Sequence, residues 1–509
     1  MSLTSKKSHG RKKRHSDSAT WGQQGVSVPR RRFLKQSAFG LTGLMGLTGC
    51  ANLDSLFTSG KREFEKEVFV IGGGAAGLMA AHTLKKNRIP FRLFEASNRP
   101  GGRLYTVTAS DGSAFEMGAD TFESHHRLIF ELLKEFQIEW EESLLDPSQC
   151  PLWRSSRGDL LTETDYQQLA APVIQRMIAD RVRTFGTGES YQILSPSLAQ
   201  ELDALSMAQL LRVHWVQPDE RVVQYWEARA RSQYASEADK VSALRWVWDQ
   251  HPERRTRTQY RVKGGWESLN RALYDRIAGV IPEHLVRLRW VLNGIRKTEE
   301  GFRCVFKTPK GTEVLETHNL ILALPANQYA KIDGFLNLDL PEGKKQALRS
   351  LRLGESGKTF VNFKSGTLDQ IEKSFYRNQI QLSYVKTTSH DWIGGLRGGS
   401  QSPWTLPDIE NWRSGLLSNG AVQKEGQFDY HVLNWKDKPF IQGARTVWEP
   451  GQWGSYSTLF EQGDFNESLL WAGEFVPAHE KGTVYSALLS GQTAALKMVE
   501  KIRALITVS

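Results

Sequence analysis

Three features are scarce or missing in this chain, and each excludes a class of protein. Only three of the 509 residues are cysteines, Cys50, Cys150 and Cys304, and they form neither a disulfide framework nor a metal-binding pair. The histidines lack metal-site spacing, because no His-Glu-x-x-His occurs and His125 and His126 are adjacent. We therefore expect no metal. No apolar run reaches the roughly 20 residues that a bilayer-spanning helix needs.

Acidic residues are nearly absent from residues 1–49, where Asp17 stands against ten lysines and arginines. This segment carries +9 of the net charge of +10, so the rest of the chain is close to neutral. A nearly neutral body offers no broad phosphate-binding face, and we expect no nucleic acid as a partner. The chain length and 39% hydrophobic content predict a sizeable core and favour two domains over one.

The basic segment ends in RRRFLKQSAFGLTGLMGLTGC, residues 30–50. Its apolar part is too short to span a bilayer, and its four glycines disfavour a buried helix at up to about 1 kcal/mol each. A basic region before a short apolar region is typical of an export signal. Arg30 to Lys35 resembles the twin-arginine signal, and Leu47 to Cys50 resembles a bacterial lipobox. We predict a signal peptide over residues 1–49, export by the twin-arginine route, and a lipid on Cys50 that anchors the protein to the bacterial cell envelope.

A nucleotide-binding fingerprint follows the first predicted strand, residues 67–71. Gly72, Gly74 and Gly77 have the Gly-x-Gly-x-x-Gly spacing and open a helical run over residues 78–85. The second predicted strand ends at Glu95, where a carboxylate is placed to hold ribose hydroxyls. This strand–helix–strand context predicts a Rossmann-like fold whose helix N-terminus receives a pyrophosphate.

The next residues resemble a segment of the flavin-containing amine oxidase family. The run from Glu95 to Arg103, EASNRPGGR, matches the family's Glu-Ala-x-x-Arg-x-Gly-Gly-Arg pattern. Further segments that resemble this family recur along the chain: Phe115–Ala119, Val262–Gly265, the strand around Val291, Ile321–Pro325, Trp435–Ala444, Trp471–Glu474 and Gly482–Val484.

The resemblance implies an α/β fold with a discontinuous Rossmann-like FAD-binding domain and a substrate domain of helices and a mixed sheet. The implied FAD-binding segments are residues 64–125, 256–330 and 438–509. The substrate domain takes residues 126–255, mainly helical, and residues 331–437. Apolar spacing predicts helices within residues 128–142 and 205–249. Strands are predicted at Thr359–Phe363 and Ile380–Val385. The implied FAD contacts are Gly72, Gly74, Ala76, Gly77, Glu95, Ala96, Arg99, Gly102, Arg103, Gly118, Ala119, Val291, Trp435, Gly473, Glu474, Thr483 and Val484.

Lys358 is the candidate catalytic residue, because Gly357-Lys358-Thr359-Phe360 resembles the family segment whose lysine holds a water near flavin N5. In this family, hydride passes from the carbon that bears nitrogen to N5, O2 reoxidises the flavin with release of H2O2, and imine hydrolysis gives ammonia. The cofactor supplies the electron chemistry, so the protein's contribution is positioning and electrostatics.

The substrate pocket departs from the better-known family patterns. Ala444 replaces the cysteine that tethers flavin in monoamine oxidases, so the resemblance implies non-covalent FAD. Arg445 and Leu470 stand where an aromatic cage is expected, and Asp120-Thr121 replaces the segment with the carboxylate-binding arginine of L-amino-acid oxidases. Two roles for Arg445 remain open: it clamps a substrate carboxylate with its bidentate fork, or it pairs with an acid such as Asp120.

The leading functional hypothesis is an oxidase that acts on a small-molecule amine or L-amino acid, with O2 as acceptor. A flavin dehydrogenase or desaturase of a lipophilic substrate, using a quinone-type acceptor, is the second. A lipid-anchored FAD-binding protein without catalysis is the third. The sequence leaves the substrate and the oligomeric state open.

Overall fold

The computed structural model describes residues 66–508 apart from residues 110–111, 145–151, 156, 189–190, 215–217, 252–256, 280–281, 370–373, 375, 378, 387–389, 418–427 and 478–479. The predicted signal peptide and lipidated Cys50 lie outside the described residues, as does Cys150. Among the described residues, no helix combines the length and the apolar character that crossing a membrane requires.

A five-stranded parallel sheet joins strands from distant parts of the chain. The strands, numbered along the chain, have the order β10-β2-β1-β14-β22: Val286–Leu288, Phe91–Glu95, Val68–Ile71, Asn319–Leu322 and Leu469–Trp471. All four neighbouring pairs are parallel. β1 is buried along its whole length because both faces of such a sheet are covered. The sheet confirms the expected α/β fold, built from N-terminal, middle and C-terminal segments.

Helices cover this sheet and fill the segments between its strands. In chain order they are α1 Ala75–Lys86, α2 Arg127–Glu135, α3 Glu163–Phe185, α4 Pro196–Ala204, α5 Met207–His214, α6 Glu220–Tyr234, α7 Ala243–Trp248, α8 Trp266–Ala278, α9 Pro282–Leu285, α10 Glu342–Ser350, α11 Leu406–Leu417, α12 Trp453–Tyr456 and α13 Val484–Val508. α1, α8 and α13 share one apolar core with the sheet. Helices α3 to α7 contribute a large part of a second core, as expected for a mainly helical segment.

A seven-stranded mixed sheet forms the second β-system. Its order is β20-β16-β19-β18-β17-β7-β8: Tyr430–Asn434, Ser356–Lys364, His390–Gly398, Ile380–Lys386, Tyr376–Arg377, Trp153–Arg154 and Leu160–Leu161. Only the β17–β7 pair is parallel within this sheet. The strands predicted at Thr359–Phe363 and Ile380–Val385 are therefore confirmed. The domain boundaries stay a prediction, because residues 58–509 group as one compact unit.

Smaller sheets complete the described structure. They are β11-β12-β13 (Val291–Lys297, Phe302–Thr308, Gly311–Thr317), β5-β9-β6 (Phe122–Glu123, Gln259–Val262, Trp140–Glu142), β3-β4 (Thr106–Thr108, Ala114–Glu116) and β15-β21 (Arg352–Leu353, Thr446–Val447).

One helical prediction was too long. Residues 128–142 have helical apolar spacing, but α2 ends at Glu135. Gln137 takes a left-handed φ of 56°, which an α-helix does not continue through, and residues 140–142 pair with β9.

Close backbone packing explains one glycine within α1 and one in the neighbouring helix α13. A Cβ on Gly77 would lie 1.8 Å from the carbonyl oxygen of Gly72, and a Cβ on Gly491 of α13 would lie 2.1 Å from that of Ala76. Both distances are far below van der Waals contact, so only glycine fits at either position. The turn from β1 into α1 and the approach of α13 to α1 both depend on these missing side chains.

We predict that Gly77→Ala lowers the free energy of unfolding by at least about 1–3 kcal/mol, because the added methyl group forces the turn after β1 to open. Thermal and urea unfolding measure this change. Gly415→Ala is the matched control, since a Cβ there meets no atom within 4 Å. The control should leave stability unchanged or raise it by up to about 1 kcal/mol. Equal stability of the two variants would contradict the close approach.

Candidate cofactor and active site

The glycine-rich turn after β1 forms a backbone cradle. α1 begins at Ala75, and no described side chain caps its N-terminus at Gly74. The Gly101 N–H donates to the Gly73 carbonyl oxygen at 2.7 Å, and a Cβ on Gly102 would lie 3.2 Å from the Gly74 Cα. The uncapped N–H groups of the first helical turn favour an anion, and the missing side chains leave room for one. This arrangement fits a pyrophosphate.

Glu95 lies at the carboxyl end of β2, beside the cradle. Its carboxylate accepts the N–H groups of Gly73 and Ser97, each at 2.7 Å, with Ala96 between the strand and Ser97. The Trp290 N–H donates to the Glu95 carbonyl oxygen at 2.9 Å, which places Val291 and β11 next to this corner. The structure therefore brings Glu95 and Val291 together, as the sequence predicts for the ribose and adenine end of a dinucleotide.

Arg99 supports the second glycine turn. Its guanidinium donates to the carbonyl oxygens of Pro100, Gly102 and Leu104 at 3.0, 2.6 and 3.2 Å. The same group lies over the Tyr105 ring at 4.2 Å. These contacts fix the shape of the turn at residues 101–102, while a direct contact of Arg99 with a pyrophosphate stays a prediction.

The buried Glu474 and the half-buried Arg103 form an ion pair at the other end of the cofactor segments. Arg103 Nη1 lies 3.0 Å from Glu474 Oε1 and donates to the Ala444 carbonyl oxygen at 2.9 Å. The N–H and hydroxyl of Thr446 also donate to Glu474 Oε1, at 3.1 and 2.7 Å. Burial raises the pKa of Glu474, but the Arg103 charge and these hydrogen bonds outweigh it, and the net shift is downward.

The other carboxylate oxygen of Glu474 supplies a test of the cofactor's fit. Oε2 is buried and has no hydrogen-bond partner among the described residues. A Cβ added to Gly482, which precedes the predicted contacts Thr483 and Val484, would lie 4.0 Å from it. A buried acceptor without a donor is costly, and a hydroxyl-bearing ligand chain such as the ribityl of FAD would supply one. The residues present therefore fit FAD.

Gly118 and Trp435 lie next to each other, close to the main chain of Arg103. A Cβ on Gly118 would lie 1.9 Å from the Arg103 carbonyl oxygen, so the backbone approach requires glycine. Trp435 Nε1 donates to the Met117 carbonyl oxygen at 3.1 Å, and Ala119 is half-buried beside Gly118. On the C-terminal side, the Gly473 N–H donates to the Ser490 hydroxyl of α13 at 2.9 Å. Predicted contacts from three distant segments therefore lie within one connected region.

Asp120 joins the candidate catalytic lysine to two further side chains. Its Oδ2 lies 3.0 Å from Lys358 Nζ and accepts the Ser383 hydroxyl at 3.1 Å, and its Oδ1 lies 3.0 Å from Arg261 Nε. Burial alone would raise the pKa of Asp120, but the Arg261 and Lys358 charges hold it well below its usual value. Asp120 is therefore ionised at neutral pH, and Lys358 has a fixed counter-ion.

Arg261 and Ser383 are absent from the sequence-based site. Strand pairing between distant segments brings them to Asp120. Arg261 lies on β9, which pairs with β5, the strand that begins two residues after Asp120. Ser383 lies on β18, in the same sheet as Lys358 on β16. The only sequence signal for Arg261 is its position immediately before the Val262–Gly265 segment.

The remaining pocket candidates are Leu470, Arg445 and Thr121, of which Thr121 adjoins Asp120 of the Lys358 group. Leu470 is 2% exposed on β22 and belongs to the core around the parallel sheet, so its predicted place in a substrate pocket is not supported. Arg445 donates to the Gln233 carbonyl oxygen. It does not form the ion pair with Asp120 that was one of its two predicted roles, because Lys358 and Arg261 take that carboxylate. Thr121 is half-buried, next to Asp120.

Glu116 is a buried acid that sequence reasoning placed in a motif but not in the site. Its Oε1 accepts the Trp266 N–H at 2.6 Å and the Thr106 hydroxyl at 2.8 Å, and its Oε2 has no partner among the described residues. Burial raises the pKa of Glu116 to about 8, although the two hydrogen bonds oppose the rise. The group is therefore mostly protonated at neutral pH.

The raised pKa of Glu116 predicts a pH dependence of stability. The folded state holds a proton that the unfolded state releases between about pH 5 and pH 8, so the free energy of unfolding falls as the pH rises through this window. Glu116→Gln mimics the protonated acid and should flatten this fall, as measured by urea unfolding at a series of pH values. Exposed Glu131→Gln on α2 is the control. Parallel pH profiles for wild type and Glu116→Gln would contradict the assignment.

Known proteins resemble this chain in sequence along most of its length. The family model described as flavin containing amine oxidoreductase matches residues 75–391. Pseudooxynicotine dehydrogenase of a Pseudomonas species is 21% identical, over 96% of this chain and 98% of that protein. An L-amino-acid oxidase of Pseudechis australis is 22% identical, over 84% and 86%.

Solved structures share the fold. Cyclohexylamine oxidase from Brevibacterium oxydans IH-35A superposes with a TM-score of 0.74 at 17% identity, covering 86% of this chain and all of that one. Wild-type putrescine oxidase bound to putrescine gives a TM-score of 0.69 at 18% identity, with coverage of 86% and 99%. These likenesses establish the two-domain fold. With the family match over more than half of its length, the chain belongs to the flavin-containing amine oxidoreductase family.

Proposed function

We propose that this protein is an FAD-dependent oxidoreductase that oxidises the carbon–nitrogen bond of an amine or L-amino acid. The proposed acceptor is O2, with H2O2 as product and ammonia after hydrolysis of the imine. The observation that carries the proposal is the ion pair of the buried Lys358 with the half-buried Asp120. The bound flavin would supply the hydride acceptor, and this chain's residues would position the reactants and control protons.

The chain offers contacts for FAD along an extended path. The cradle at Gly72–Gly77 and Gly101–Gly102 would receive the pyrophosphate, Glu95 the ribose, and Glu474 with Thr483 and Val484 the ribityl end. Ala444 has no nucleophilic side chain, which supports non-covalent binding. Mild acid or denaturant should therefore release free FAD.

Lys358 is suited to hold a water at the reacting centre. An ammonium group has three N–H donors, and among the described residues Asp120 accepts one of them. The side chain is 4% exposed, so the group is fixed and shielded from bulk solvent. We infer that a second donor of Lys358 orients a water for proton transfer, while Arg261 balances the charge of Asp120.

Lys358→Met should lower the turnover number roughly 100-fold or more while flavin content is retained, because positioned proton transfer contributes effects of that size. Stopped-flow absorbance of the flavin, first with substrate and then with O2, measures both half-reactions. Lys364→Met, an exposed lysine on the same strand, is the matched control and should behave as wild type. Wild-type rates in the Lys358 variant would remove the residue from the mechanism.

The identity of the electron acceptor distinguishes the proposed oxidase from a flavin dehydrogenase. A relative named as a dehydrogenase, 21% identical to this chain, favours a second candidate in which a quinone-type acceptor replaces O2. FAD-loaded protein incubated with a panel of amines and L-amino acids should give peroxide and ammonia in equal amounts. Flavin bleaching by substrate without peroxide would favour the dehydrogenase. A flavin that no substrate of the panel bleaches would contradict both and leave the non-catalytic FAD-binding protein.

We further propose that the chain is exported by the twin-arginine route and anchored through a lipid on Cys50. The support is the order of the Arg30–Lys35 and Leu47–Cys50 motifs in the sequence. In a bacterial host with this pathway, Cys50→Ser should move the protein from the membrane fraction to the soluble fraction. The double substitution Arg30→Lys with Arg31→Lys should block export. Membrane attachment of the Cys50→Ser protein would contradict the anchor.

A further inference from the structure

Two arginines converge on Gln233, at the C-terminal end of α6. Arg445 donates to the main-chain carbonyl oxygen of Gln233, and Arg229 Nε donates to its side-chain oxygen at 3.3 Å. Burial raises the pKa of Tyr376, and the charges of Arg229 and Arg445 both oppose that rise. The Tyr376 ring lies 5.7 Å from the Tyr225 ring, and its hydroxyl forms a hydrogen bond with Ser232 of α6 at 2.7 Å. Arg229 also donates to the Tyr225 hydroxyl at 3.0 Å.

Neither guanidinium has a carboxylate partner within ion-pair distance in the described part of the chain. Glu474 is the acid that acts most strongly on Arg445, but it lies beyond ion-pair distance of that residue and pairs with Arg103 at 3.0 Å. Arg245 pairs with Asp249 at 2.6 Å. The groups that act most strongly on Arg229 are tyrosines. The C-terminus of α6 supplies only about half a negative charge. Arg229 and Arg445 are both half-buried. Positive charge therefore exceeds negative charge among the described groups around them, and an anionic ligand would balance it.

The two-arginine site is next to the residues proposed for the flavin. Arg445 directly follows Ala444, whose carbonyl oxygen accepts from Arg103. A Cβ on Gly482 would lie 3.6 Å from Arg445 Cδ. Arg229 and Gln233 lie one turn apart on α6, so they face the same side of that helix. The site is thus located where helix α6 meets the C-terminal cofactor segments, apart from the Gly72–Gly77 cradle proposed for the pyrophosphate.

We propose that Arg445 and Arg229 bind the carboxylate of the substrate, so that this enzyme acts on amines that carry a carboxylate in preference to simple amines. The inference rests on the proposed oxidase function and names its substrate class. Guanidinium groups match a carboxylate with paired N–H donors. The buried Tyr225 accepts from Arg229 and holds that guanidinium in place. The carboxylate supplies the negative charge that the described residues lack.

Matched substrates test the preference. Each L-amino acid is compared with the amine that remains when its carboxylate is removed, for example L-leucine with 3-methylbutylamine. Wild type should show a kcat/KM at least tenfold higher for the amino acid. Arg445→Gln and Arg229→Gln should each raise KM for the amino acid roughly 10- to 100-fold and change KM for the amine by less than about threefold. Arg445→Lys should recover part of the loss, because it keeps the charge without the fork.

Arg221→Gln is the matched control, since Arg221 lies on the same helix and is paired with Asp219 at 3.1 Å. It should change neither substrate's kinetics. Equal losses for the amino acid and the amine in the Arg445 and Arg229 variants would overturn the proposal while leaving the oxidase intact, and so would a wild type without preference for the amino acid.

Binding without turnover separates this inference from the proposed function. The probes are 4-methylpentanoate, its amide and inorganic phosphate, detected by the visible flavin spectrum and by thermal shift of the FAD-loaded protein. The carboxylate should perturb wild type, the amide should not, and Arg445→Gln should abolish the response. If this result appears in a protein that oxidises no amine, the anion site stands and the oxidase proposal fails. Equal responses to the acid and its amide, or to phosphate and the acid, would overturn the carboxylate site.

Discussion

The close approach of α1 to the end of β1 is the constraint on which the cofactor site depends. Gly77 lies so near the Gly72 carbonyl oxygen that a methyl group would be 1.8 Å from it. This contact directs the uncapped N-terminus of α1 toward the second glycine turn at Gly101. The parallel sheet then places Glu95 on β2 and Glu474 after β22 at the same edge, because the carboxyl ends of parallel strands lie together. A glycine cradle, an acid at the carboxyl end of β2 and a buried acceptor follow from one backbone arrangement.

The charged side chains discussed above form two groups, one with an acidic partner and one without. Asp120, Lys358 and Arg261 form a compact ion cluster that holds the buried lysine side chain in a fixed position. Arg445 and Arg229 carry charge without a carboxylate of their own among the described residues. A lysine with its own counter-ion is suited to orient a water. Guanidiniums without a carboxylate partner are suited to bind an anionic ligand. This difference assigns separate tasks to the two groups.

Local patterns in the sequence predicted the parts of the site that depend on backbone geometry. The Gly72–Gly77 turn, Glu95 at the end of β2, and the strands around Lys358 are where the sequence places them, because spacing and apolar periodicity determine such elements. The partners of Asp120 depend on long-range pairing, so Arg261 and Ser383 could not be found. Leu470 is the opposite case: alignment to a motif put it in a pocket, but on β22, at the edge of the parallel sheet, its side chain is buried in the adjoining apolar core.

Anaerobic single turnover tests the central claim most directly. The FAD-loaded protein, mixed without O2 with a carboxylate-bearing amine that it accepts, should lose its visible flavin absorbance completely and release one ammonia per flavin after imine hydrolysis. The colour should return on admission of O2 with one H2O2 per flavin. An absorbance that persists with every amine and L-amino acid supplied would contradict amine oxidation as the function of this protein.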